Sequence, residues 1–190
     1  MFRRLRRIYA GGLTPAQLQT LAQANQFQAS GHCQQAGELF SSLAGELQAN
    51  QHPRRAANCY AQAAHAYADS QMPDQAESQA RRALDIFIQT KMLERAPRFY
   101  TNILNKMRQS GMNPSANLIE QEYGQRIQGL PLPGPTTGQN PMPKTAHGRL
   151  PSACPKCGAP VNPLDGVWID RENAECNYCG ATLQTDLKIM

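Results

Sequence analysis

From Thr14 to Gln128 apolar residues return every three or four positions, the period of a helix with one buried face, and the pattern itself returns every forty residues. Ser30, Ser70 and Ser110 fall in register, as do Ala36, Ala76 and Ala116 within SGHCQQA, SQMPDQA and SGMNPSA. Phe27, Tyr67 and Met107 align, as do Leu47, Phe87 and Ile127, and Tyr60 aligns with Tyr100. Each unit reads as two helices joined by a short turn. Pro15, Pro53, Pro73 and Pro114 stand where helices open, since proline's missing amide is harmless in a first turn. The spacing predicts six helices over about 14–30, 33–49, 53–69, 73–90, 93–109 and 114–128.

The aromatic of each first helix and the small alanine of each second helix resemble a tetratricopeptide-repeat array. The chain departs from that family in its forty-residue unit, in lacking the usual Trp and Leu-Gly pair, and in having no proline to close each repeat. A HEAT-like array is the alternative. Either resemblance implies an α-solenoid, in which successive helix pairs bury one continuous core and leave a concave and a convex face. Three units are a short stack, so its ends want covering by the N-terminal arm, by the C-terminal part or by a second copy.

In the tetratricopeptide register the first helices line the concave face. Asn25, His65 and Asn105 then form one row; Asn58 and Arg98 belong to a second and Arg108 to a third. Asparagine can hold a peptide main chain through two hydrogen bonds, and arginine can take its carboxylates. These six are the candidate partner-binding residues. Cys33 and Cys59 have no ligand spacing and read as small buried residues, and the four histidines form no ligand set.

The pattern changes at Gly129. Between Gly129 and Pro151, six prolines and four glycines exclude a helix or paired strand, and the segment reads as a partly extended linker. Beyond it Cys154, Cys157, Cys176 and Cys179 stand as CPKCG and CNYCG, with eighteen residues between the pairs. Two residues between thiolates let both reach one ion from a tight turn, and two such turns make a tetrahedral cage. The segment resembles a zinc ribbon over about 152–185, with a strand at 167–169, a turn at 171–173, a return at 174–176 and Trp168 as apolar lid. Four thiolates close the metal's shell, so the resemblance implies a structural zinc site, contributing on the order of 10 kcal/mol or more to a fold with little core. Iron in a rubredoxin-like site and a pair of disulfides are the alternatives.

Charge refines the picture. Of 19 Lys and Arg against 14 Asp and Glu, the excess sits largely in the first 13 residues, where Arg3, Arg4, Arg6 and Arg7 meet no acid and are candidates for contact with an anionic surface. The helical part is close to neutral, and 152–190 carries three positive against five negative residues. A ribbon that gripped phosphates would show the reverse. The chain therefore divides into a basic arm (1–13), a helical-repeat domain (14–128), a linker (129–151) and a zinc ribbon (152–190), mainly α with a small β module. No nucleophile with a base, phosphate loop or open metal site is visible, which points away from an enzyme. A protein-interaction adaptor is the favoured function, and a nucleic-acid-associated factor using ribbon and arm is the alternative. With no signal and unpaired thiols, cytoplasm is the expected location. Ribbon and array are expected to be separate bodies on a tether.

Overall fold

The computed structural model describes residues 13–93, 95–130, 149–161, 172–176, 178–179 and 181–185, together with the backbone of 167–168. Six helices follow one another: α1 (Pro15–Ala29), α2 (Cys33–Ala49), α3 (Pro53–Asp69), α4 (Pro73–Gln89), α5 (Arg95–Gln109) and α6 (Asn113–Gln128). The predicted helices agree with these within a residue or two at each end. Thr14 opens α1 with a capping box, its hydroxyl accepting from the Gln17 amide while the Gln17 side chain accepts from the Thr14 amide.

A shorter repeat underlies the forty-residue one. Each turn places one residue in the left-handed region at twenty-residue steps: Gly31, Gln51, Gln71, Lys91 and Gly111. The next amide then reaches back five residues, from His32 to the Phe27 carbonyl, His52 to Leu47, Met72 to Tyr67, Met92 to Phe87 and Met112 to Met107. This Schellman bond satisfies carbonyls left open at the helix end and turns the chain sharply enough to start the next helix at once. Of the large residues found in register by sequence, Phe27, Leu47, Tyr67, Phe87 and Met107 are thus the ones whose carbonyls accept these bonds, each buried or half-buried where its helix stops.

Helices pack on their sequence neighbours, and α4 also meets α6 as α3 meets α5, the contact pattern of a solenoid. Alanine makes this close approach practical: Ala56, Ala57, Ala63, Ala64, Ala66 and Ala68 are all fully buried along α3, the central helix. At Gly37 the Tyr67 ring lies so near the α2 backbone that an added Cβ would sit 2.9 Å from its Cε1. Larger side chains, Leu21, Phe40, Leu84, Ile103 and Tyr123 among them, fill the layers between.

The C-terminal module holds a three-stranded antiparallel sheet in the order β1 (Val167–Trp168), β2 (Asn173–Glu175), β3 (Thr182–Gln184). Trp168 pairs with Ala174 and Ala174 with Leu183. The third strand was not expected from the sequence; its alternation is visible only as the single buried Leu183 between Thr182 and Gln184. The basic arm with Arg3, Arg4, Arg6 and Arg7, positions 131–148 of the linker, and the side chain of Trp168 lie outside the described residues. Leu150, near the linker's end, is buried in the same apolar cluster as the helices.

Candidate functional site

The two CxxC turns are built alike. Cys154 donates its amide to the Ala159 carbonyl and Cys176 donates to Ala181, each at 2.8 Å, so both loops close five residues after their first cysteine. Gly158 takes φ +70, where a Cβ would be strained, and its amide returns to the Cys154 carbonyl. All four cysteines are buried, and their sulfurs lie within 4.8 Å of one another. Cys154 Sγ is 3.7 Å from Cys179 Sγ, and Cys157 Sγ is 3.9 Å from Cys176 Sγ. A cation bound by four thiolates at about 2.3 Å sets adjacent sulfurs about 3.8 Å apart, so the cage fits a metal ion. A disulfide would require about 2.05 Å, and the four are free thiols.

The thiols interact strongly with one another. Hydrogen bonds from the Cys157 and Cys179 thiols drive the Cys176 thiol far below its usual range, and the bond to Cys176 pushes Cys157 far above it. A cation held by four thiolates would displace thiol protons, so metal binding would release acid.

The module does not hang free of the array, contrary to the expectation of two tethered bodies. Asn25 Nδ2 of α1 donates to the Cys157 carbonyl at 2.8 Å, and a Cβ added at Gly158 would meet the Asn25 Cβ at 3.5 Å. From α3, Gln62 Nε2 donates to the Tyr178 hydroxyl at 2.7 Å, and Arg55 pairs with Glu175 at 3.6 Å. Burial pushes the Tyr178 phenol up to about 12 and the nearby Cys59 thiol likewise to about 12, so both stay neutral at ordinary pH. Sequence reasoning missed this docking because complementary surfaces carry no spacing signature. One signal was there: Tyr178 is a large amphipathic residue inside a turn whose counterpart positions hold Pro155 and Lys156.

Beside the docked module a groove runs along α3 and α5. A cavity of about 270 Å³ is lined by Asn58, His65, Arg95, Arg98, Phe99 and Tyr178 among others. A second, of about 530 Å³, shares Gln62, His65 and Asn102 with it and adds Gln28, Asn105 and Lys106. Both cavities are lined mainly from the first helices α1, α3 and α5, with Phe87 of α4 also bordering the smaller one. Of the six predicted partner-binding residues, Asn58, His65 and Arg98 border the smaller cavity and Asn105 the larger. Asn58 is buried and accepts a hydrogen bond from Arg95. Asn25 does hold a main-chain carbonyl, but that of the chain's own Cys157. Arg108 instead pairs with Glu120 of α6 at 2.6 Å. Cys59 is buried as expected, whereas Cys33, at the start of α2, is only half-buried.

His65 stands at the junction of the two cavities. Burial and the neighbouring Lys106 ammonium hold its imidazole down at about 4, against a smaller opposing pull from Asp69. Its ring meets Phe99 edge-on at 5.5 Å. At neutral pH it presents an uncharged imidazole to the groove.

The chain is a stacked helical-repeat array carrying a four-cysteine module on the face lined by α1, α3 and α5, and such arrays present an extended surface to protein partners. Residues 16–121, more than half of the chain, match the family model described as soluble NSF attachment protein, SNAP, and the chain belongs to that family. No curated protein and no solved structure matches it. Among the described residues no helix is long and apolar enough to cross a membrane.

Proposed function

We propose that the protein is a non-enzymatic adaptor that holds an extended segment of a partner protein in the concave groove, with a structural zinc ion in the four-cysteine cage. The observation that carries this reading is the groove's composition. Amides of Gln28, Asn102 and Asn105 line the larger of the two adjoining cavities, and amides are the side chains that can give and accept main-chain hydrogen bonds together. Arg98 adds positive charge for acidic side chains of the segment, while Lys106 is paired with Asp69 in the same cavity. The family's description as an attachment protein supports a protein partner. Zinc is the ion that a closed tetrahedral thiolate cage suits best, and such a shell leaves no position for substrate. The cytoplasm, where six free thiols persist, is the compartment this reading assigns.

Site-specific photo-crosslinking in the native host tests the groove. A benzophenone amino acid at Asn102 or Asn105 should capture a discrete protein that the same probe at Arg82, on the opposite side of the array, does not. Equal capture at all three positions, or none at Asn102 and Asn105, sinks the groove reading. Elemental analysis should find one zinc ion per chain; iron or no metal would overturn the cofactor. A nucleic-acid role would show itself as binding that weakens steeply with salt.

A further inference from the structure

The contacts between module and array fall at the metal ligands themselves. Cys157, one of the four cage cysteines, offers its carbonyl to Asn25. Glu175 precedes Cys176 and pairs with Arg55. Tyr178 lies between Cys176 and Cys179 and meets Gln62. These groups belong to two tight turns and a sheet whose strands are two or three residues long. A sheet that small does not hold its own shape in water, and in such modules the free energy of metal binding is the free energy of folding. The spacing between the Cys157 carbonyl and the Tyr178 ring, which must match the spacing of Asn25 and Gln62 on two different helices, is therefore set by the ion that joins the turns.

The helices do not depend on the module in the same way. Their layers close through Leu21, Phe40, Leu84, Ile103 and Tyr123, with Schellman bonds at each turn, and the module covers only the concave side. We infer that the cysteine module is a metal-dependent occupant of the array's own concave groove. With metal it covers Asn25 and Gln62 and walls the smaller cavity with Pro160, Val161 and Tyr178. Without metal its turns lose their fixed spacing, the module leaves, and the α1 and α3 part of the groove opens to an extended protein segment. Only that last clause rests on the adaptor reading. The gating itself concerns this chain alone.

Nuclear magnetic resonance of the full chain in its zinc form tests it, with the side-chain amides of Asn25 and Gln62 as reporters and a soluble nitroxide as probe of exposure. In the zinc form these signals should be sheltered from nitroxide broadening. In Cys176→Ser, or after chelation, broadening at Asn25 and Gln62 should rise several-fold while backbone signals of Ile119 and Tyr123 in α6 stay as they were. Tyr178→Ala keeps all four ligands, so it should expose the same two amides while the cobalt-substituted protein retains its thiolate-to-metal absorption. Continued shelter of Asn25 and Gln62 after metal loss overturns the inference. So does collapse of the helical spectrum as a whole, because the module would then be a fixed part of the core. Neither result bears on crosslinking at Asn102 and Asn105, so the groove reading stands or falls separately.

Discussion

His65 shows how one residue's surroundings set a measurable property of the whole chain. Burial and Lys106 make its charged form costly in the folded state, so its folded pKa of about 4 lies below the ordinary value of 6.5. Between those values the unfolded chain binds a proton that the folded chain refuses. The contribution of His65 is therefore complete above about pH 6.5 and is lost as pH falls toward 4, by on the order of 3 kcal/mol. His65→Gln, neutral throughout, should show a shallower loss of stability than the parent over that window in urea titrations at stepped pH. Parallel pH profiles would mean that the imidazole charges freely in the fold. The cysteine cage also protonates on acidification, but it does so in both proteins and cancels in the comparison.

At the scale of elements, the turns decide the register of the array. Five turns at twenty-residue steps demand a left-handed residue, and glycine supplies it only at Gly31 and Gly111; Gln51, Gln71 and Lys91 adopt the same φ with a Cβ in place. A non-glycine residue there carries a penalty of about 1 kcal/mol, partly offset by the freedom glycine would have in the unfolded chain. Gln71→Gly and Lys91→Gly should each raise the stability of the array, by about 0.5 kcal/mol, as read from the denaturation midpoint at unchanged slope. Lower stability in both would mean that those side chains make compensating contacts. The forty-residue period was legible in the sequence because side chains at Ala36, Ala76 and Ala116 repeat. The twenty-residue period was not, since glycine, glutamine and lysine share no chemistry and are united only by backbone geometry.

For the molecule as a whole, docking changes what damage to the metal site should do. Two independent bodies would give Cys176→Ser an unaltered helical melt. In the structure, Arg55–Glu175, Asn25–Cys157 and Gln62–Tyr178 tie the module to α1 and α3, and Leu150, Ala159 and Leu183 join the array's apolar cluster. Losing two hydrogen bonds and the half-buried Tyr178 should cost the array on the order of 2 kcal/mol. Cys176→Ser should therefore keep its helical circular dichroism at 25 °C but melt about 5 °C lower. An unchanged melting temperature would restore the picture of two separate bodies.

Periodicity, proline placement and cysteine spacing were sufficient to read six helices, an α-solenoid and a four-thiolate cage from the chain alone. Each is a local signal: the side chains that make it lie within a turn or a repeat of one another, and short-range geometry determines what they can form. The first-helix groove was legible for the same reason, since Asn58, His65, Arg98 and Asn105 follow from register. Tertiary structure alone decided what fills that groove. Asn25 and Cys157 are 132 residues apart and Gln62 and Tyr178 are 116 apart, with a proline- and glycine-rich segment between. Nothing in the spacing of such residues encodes a contact, because their complementarity arises only once two folded surfaces meet. The same holds for the burial that keeps His65 neutral: Lys106 and Phe99 come to it from α5, across the stack rather than along the chain.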